Sequence, residues 1–221
     1  MPAELGPWLR AVVDGRLAVV VSGGTGTGKT TWVSMLLAAC DPRDRIVVVE
    51  DSAELVPDHP HVVRLESRPP NIEGAGAITL RDLVRQSLRM RPDRVVVGEV
   101  RGAEVVDMLA AFNTGHEGGL TTVHANSAAD VPARLEALAL TGGLDRAAVH
   151  AQMAAGLDVV VHLERGRDGV RRWASVSVAR RLGDVTVLDD ALRRSHAGGL
   201  ELGPGHERLV ERLGSRAPEL P

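Results

Sequence analysis

Along this chain, short unbroken apolar runs alternate with stretches in which apolar residues return every third or fourth position. Leu17–Ser22, Arg45–Glu50, Arg94–Gly98 and Leu120–His124 are the runs, rich in Val, Ile or Thr and too short to make a stable helix. Their interiors hold no charge, so strands built from them need cover on both faces, as in a parallel sheet between helices. Thr79-Leu-Arg-Asp82 has the pattern of a helix-capping box, followed by Leu80, Leu83, Val84 and Leu88 on one face. Ser127-Ala-Ala-Asp130 opens a second helix with Val131, Leu135 and Leu138 inward, and Val105, Met108, Leu109 and Phe112 line a third. This alternation predicts an α/β fold around a mostly parallel sheet flanked by helices. Runs over Asp158–Leu163 and Val170–Ala179 predict a small C-terminal β addition. Residues 1–195 read as one domain, and residues 196–221, rich in Gly, Pro and scattered charge, as a tail that is loosely ordered or a short terminal helix.

Composition narrows the partners. The chain has 221 residues, 44% hydrophobic, enough for an ordinary core. A net charge of -3 with 2% aromatic residues and no tyrosine argues against a surface that wraps nucleic acid or stacks bases along a strand. The single Cys40 allows no internal disulfide and no cysteine zinc cluster. The N-terminus MPAELGPWLR lacks a signal-peptide layout, and no apolar run approaches the ~20 residues that span a bilayer. These features predict a cytoplasmic protein that meets the membrane only through partners.

The stretch SGGTGTGKTT, Ser22 to Thr31, joins the first strand run to an apolar helical segment and holds the only lysine of the chain. Gly23-x-x-x-x-Gly28-Lys29-Thr30 is the P-loop pattern in its required strand-to-helix setting. Its glycines let backbone N–H groups curl around phosphate oxygens, and the helix N-terminus adds a positive dipole. Gly23, Gly24, Thr25, Gly26, Thr27, Gly28 and Thr31 would cradle the phosphates of ATP. Lys29 would reach the β- and γ-phosphates, and Thr30 would place its hydroxyl on Mg²⁺. A compact ammonium on a flexible stem fits that space where a planar guanidinium does not.

Many P-loop enzymes end a strand on a metal-holding aspartate, but here the run from Arg94 ends in Gly98-Glu99. Glu50-Asp51 closes another run, and parallel strands bring both pairs to the edge that carries the P-loop. Glu99 and Asp51 therefore join Thr30 as candidate Mg²⁺ ligands, partly through water, and Glu99 or else Glu50 is the candidate to orient the attacking water. Each carboxylate taken singly also reads as a solvated strand-end charge beside an arginine such as Arg101; convergence beside a P-loop favours the nucleotide role. His116 and His124 flank a strand without the spacing of a metal motif, and read as sensors of the γ-phosphate or as ordinary core histidines. Arg64, Arg68, Arg91 and Arg101 flank the same motifs, with Arg91 and Arg101 as candidate coupling residues. Arg81, Arg85 and Arg89 form a helical stripe, which is a solvated face or an arginine source for a neighbouring subunit.

In this order, VVSGGTGTGKTT, VVVEDSAEL, RLESRPPNIEG, LRMRPDRVVVGEVRG and GHEGGLTTVHANSAAD resemble the secretion-ATPase superfamily, closest to the TadA/CpaF ATPases of Tad-type pilus assembly, from about Leu17 to Leu163. The resemblance implies a RecA-like ATPase domain in a hexameric ring, using ATP and Mg²⁺ to drive pilin polymerisation or protein export against an inner-membrane platform protein. It makes Gly23 to Thr30 the Walker A loop, Glu50 and Asp51 part of an acidic box, Glu99 the Walker B glutamate, and His116 and His124 a coupling histidine box. Such enzymes carry an N-terminal domain that closes over the nucleotide and supplies arginines, which this chain is expected to lack. The alternative reading is an ATP-binding subunit that acts with full-length subunits and does not hydrolyse alone. A DNA-dependent ATPase is a third, against the acidic balance.

Overall fold

The computed structural model describes residues 4–115 and 117–219. Six strands run parallel: β1 (Val19–Gly23), β2 (Ile46–Glu50), β3 (Val62–Glu66), β4 (Arg94–Val97), β5 (Leu120–Val123) and β6 (Val159–Arg165). A ribbon of β7 (Arg171–Leu182), β8 (Val185–Arg194) and β9 (Leu200–Leu202) continues the sheet antiparallel, in the order β3-β2-β4-β5-β1-β6-β7-β8-β9. The expected α/β architecture with a mostly parallel sheet and a C-terminal β addition is the one found.

Successive valines of β1 face opposite layers, which is why its burial shows no polar alternation. Val19 and Val21 pack under α1 (Leu5–Asp14), α2 (Lys29–Ala38) and α7 (His206–Leu213), while Val20 packs under α3 (Leu80–Ser87), α4 (Glu104–Asn113), α5 (Val131–Thr141) and α6 (Arg146–Gly156). The capping box at Thr79 is complete: the Thr79 hydroxyl accepts from the Asp82 amide, and Asp82 accepts from the Thr79 amide at 3.0 Å. Two arginines of the predicted stripe, Arg81 and Arg85, both bind Asp107 of α4 at 2.7 Å, so they hold two helices together.

Within residues 196–219 the short terminal helix is found, as α7. Leu209 and Leu213, four apart on α7, are buried against the α1 layer, which supplies the order that the polar composition conceals. At the N-terminal edge of the strands, the buried Arg94 pairs with the buried Asp44 at 2.8 Å and donates to the Val13 carbonyl at 2.9 Å; Arg16 also pairs with Asp44. This knot ties the end of α1 to the starts of β2 and β4. Among the described residues no helix is long and apolar enough to cross a membrane.

Candidate active site

The P-loop leaves β1 at the opposite edge of the sheet from that knot. Gly28 takes φ +96°, a conformation that glycine adopts without strain, and in it serves as the N-cap of α2. Lys29 begins the helix and is buried at 8% exposure. Its Nζ donates to the carbonyls of Gly23 and Gly24, each at 3.0 Å, and lies 3.3 Å from His124 Nδ1. His124 Nε2 in turn lies 2.8 Å from Glu99 Oε1. Burial pulls the Lys29 ammonium below its usual pKa range, opposed by the charge of Glu99. Lysine, imidazole and carboxylate thus form one connected line across β1, β5 and the exit of β4.

Glu50, at the tip of β2, is almost fully buried. Its Oε1 accepts from the amides of Leu55 at 3.0 Å and Glu54 at 3.2 Å, which fixes the side chain. Desolvation raises its pKa against those two hydrogen bonds. The Gly-Glu pair at the end of β4 has a steric cause: a Cβ at position 98 would come 2.7 Å from Glu50 Cγ, so only glycine admits the buried glutamate beside Glu99. Asp51 accepts from Ser67 Oγ at 2.8 Å and from Arg101 Nε at 3.1 Å. Its carboxylate is therefore shared with protein partners to a degree that its sequence position does not reveal.

These groups surround a cavity of about 360 Å³. Of the predicted residues, Thr25, Gly26, Gly28, Lys29, Thr30 and Thr31 line it from the loop, and Glu50, Asp51, Glu99, Arg101 and His124 from neighbouring strand tips. Gly23 and Gly24 contribute through their carbonyls to Lys29, and Thr27 braces the loop by donating to Gly24 O at 2.9 Å. Arg91 is not brought here. It precedes the N-terminus of β4, and the parallel register places that end at the far edge of the sheet. His116 lies outside the described residues. The site fits Mg²⁺ as P-loop sites hold it. Thr30, Asp51 and Glu99 line one cavity, a hydroxyl and two carboxylates of the hard-oxygen type that Mg²⁺ takes.

Two contributors escaped the sequence reading. Arg171, on β7, reaches across the ribbon to the loop, and its Cδ stands 3.6 Å from where a Gly28 Cβ would be. No motif marks it, because its place depends on a strand pairing. His162 is the one polar residue in the VVVHL run of β6; it sits beside Ser22 in register, with Ser22 Oγ 2.9 Å from its Nδ1 and both side chains buried. That break in an apolar run was the available signal.

Burial lowers the His162 pKa, opposed by the Asn126 backbone and by Glu164, Asp130 and Asp190. The unfolded chain then binds a proton near pH ~6.5 that the folded chain resists, so this histidine makes stability fall as pH drops below that value. His162→Gln is expected to flatten the loss of melting temperature between about pH 7 and 5; parallel profiles for the two proteins would remove His162 as the cause.

Comparison with known proteins places the chain in a family. A protein of Mycobacterium tuberculosis provisionally named for conjugal transfer is 62% identical over 169 residues, covering 76% of this chain and 48% of its own. The conjugal transfer protein TrbB of Rhizobium radiobacter is 36% identical, covering 74% and 49%. Among solved structures, the VirB11 ATPase of the Brucella suis type IV secretion system, in complex with sulphate, superimposes with a TM-score of 0.68 at 33% identity, covering 76% of this chain and 50% of that one. The chain thus spans about half the length of the curated relatives it matches. A family model for type II/IV secretion system proteins matches residues 2–178, and the chain belongs to that family.

Proposed function

We propose that this chain is the ATP-binding and ATP-hydrolysing motor domain of a type II or type IV secretion machine, or of the Tad-type pilus machinery its motifs resemble. The observation that carries the reading is the convergence on one cavity of a buried P-loop lysine and two strand-tip glutamates. Loop amides and Lys29 hold the β- and γ-phosphates and stabilise the charge that develops as water attacks in line. Glu50 is the better base: two amides pin one oxygen, Oε2 has no protein hydrogen bond among the described residues, and its raised pKa lies nearer the operating pH. Glu99, tied through His124 to Lys29, reports the state of the γ-phosphate to β5. Mg²⁺, when bound to Thr30 and through water to Glu99 or Asp51, supplies countercharge to the phosphates.

Glu50→Gln is expected to bind labelled ATP normally while turnover falls about 10²–10⁴-fold. Glu99→Gln is expected to retain more turnover and to lose the linkage between nucleotide state and assembly. Full turnover by Glu50→Gln, with an inactive Glu99→Gln, would exchange the two roles.

The partners in this reading are further copies of the chain in a ring, probed by whether turnover per subunit rises with protein concentration, and a membrane platform protein. A second reading is nucleotide binding without independent hydrolysis. Phosphate release that appears only on adding a full-length subunit would select it.

A further inference from the structure

Glu104, the first residue of α4, stands outside the nucleotide cavity and is buried at 7% exposure. Its Oε1 accepts from two consecutive amides, Arg101 at 2.6 Å and Gly102 at 2.7 Å. Those lengths are short for N–H···O bonds, and bonds to a carboxylate are about twice as strong as neutral ones. We propose that Glu104 is a positioning residue for the nucleotide site: it fixes residues 98–102 from behind, and with them the placing of Arg101 and Glu99. The proposal rests on the ATP-site reading above and adds to it a residue from outside the cavity.

Three elements tie down this segment. Gly98 donates to the Val49 carbonyl of β2 at 2.9 Å, and its own carbonyl accepts from the Thr122 hydroxyl of β5 at 2.7 Å. Val100 donates to the Thr122 carbonyl at 2.9 Å, so β5 brackets Glu99 on both sides. Beyond Val100 the chain leaves the sheet. Among the described residues the amides of Arg101 and Gly102 then have Glu104 as their acceptor and no backbone carbonyl.

The anchor is stiff. Val105, Met108 and Leu109 are buried in the core layer under the sheet, and Asp107 ties α4 to α3 through Arg81 and Arg85. What the sheet does for Glu99, this helix does for Arg101. Arg101 Nε meets Asp51 at 3.1 Å, while Glu99 Oε1 lies 2.8 Å from His124 Nε2, all four side chains on the cavity wall. Without the Glu104 carboxylate the two amides are freed and the segment pivots at Val100. A displacement of about 1 Å caused by a change away from the chemistry costs on the order of 10²-fold in rate. The phosphates stay held by Lys29 and the loop.

The test follows the whole 221-residue chain through amide exchange, labelled-ATP binding and phosphate release. Glu104→Ala is expected to speed exchange at Arg101 and Gly102 about 10–10²-fold, the weight of a hydrogen bond to a charged group, with β4 and the body of α4 still protected. ATP affinity and KM are expected to stay within a few-fold of wild type while kcat falls about 10²-fold. Glu104→Gln keeps a carbonyl oxygen in place and is expected to restore slow exchange and most of the turnover. Unchanged exchange at the two amides in Glu104→Ala, or fast exchange with full turnover, overturns the proposal. Protection lost throughout α4, or a loss of turnover that Glu104→Gln does not rescue, makes Glu104 a residue of general stability and overturns it as well. Lys29→Ala tests the underlying reading separately. If that variant binds ATP as the wild type does, the ATP site fails, and exchange at Arg101 and Gly102 still decides whether Glu104 holds the segment.

Discussion

Lys29→Ala is expected to abolish phosphate release and to weaken ATP binding, with the fold intact. The ammonium is the one cation of the loop, placed where charge develops on the transferred phosphoryl group. Losing such a contact costs about 10²–10³-fold in turnover, before any loss in affinity is counted. Lys29→Arg is expected to restore little, because a planar fork cannot occupy the space between the Gly23 and Gly24 carbonyls and His124. Burial already disfavours the charge of Lys29, so its removal should leave the melting temperature unchanged or slightly raised. That separates loss of chemistry from loss of structure. Full turnover in a folded Lys29→Ala protein would overturn the site.

The second large effect lies at the other edge of the sheet and concerns stability. Asp44→Ala is expected to cost about 3–5 kcal/mol, because it strands the guanidinium of Arg94, whose side chain is 3% exposed. At roughly 2–4 °C per kcal/mol for a chain of this size, melting should drop by about 10 °C. Replacing both partners, as in Asp44→Leu with Arg94→Met, is expected to recover much of that loss, since no buried charge is then left unpaired. Nucleotide affinity in folded protein should not change in either variant, because the knot sits away from the P-loop. A drop below about 1 kcal/mol for Asp44→Ala would show that water reaches Arg94 in solution.

The parallel core was legible because its strands are unbroken apolar runs and its P-loop is a spacing motif that needs both neighbours. Those strands fall within two residues of expectation: Leu17–Ser22 was expected where Val19–Gly23 is found, and Arg94–Gly98 where Arg94–Val97 is found. Helix α1 was missed because Pro7 breaks the apparent pattern, although proline is tolerated in a first helical turn. Strand β3 was missed because it is only half-buried and alternates weakly. In the site, Lys29, Glu50, Glu99 and His124 could be placed from strand ends alone. Arg171 and the Arg94–Asp44 pair could not, since each depends on which strands or loops become neighbours, and Arg94 by itself reads as the polar start of a strand. Arg91 stands a whole strand length from the edge that carries the P-loop, which its nearness in sequence to Glu99 does not reveal.

Because a Cβ at position 98 would come 2.7 Å from Glu50 Cγ, the residue before Glu99 and the buried acid of β2 constrain each other. Any side chain larger than hydrogen there has to push Glu50 off the seat that the Glu54 and Leu55 amides give it.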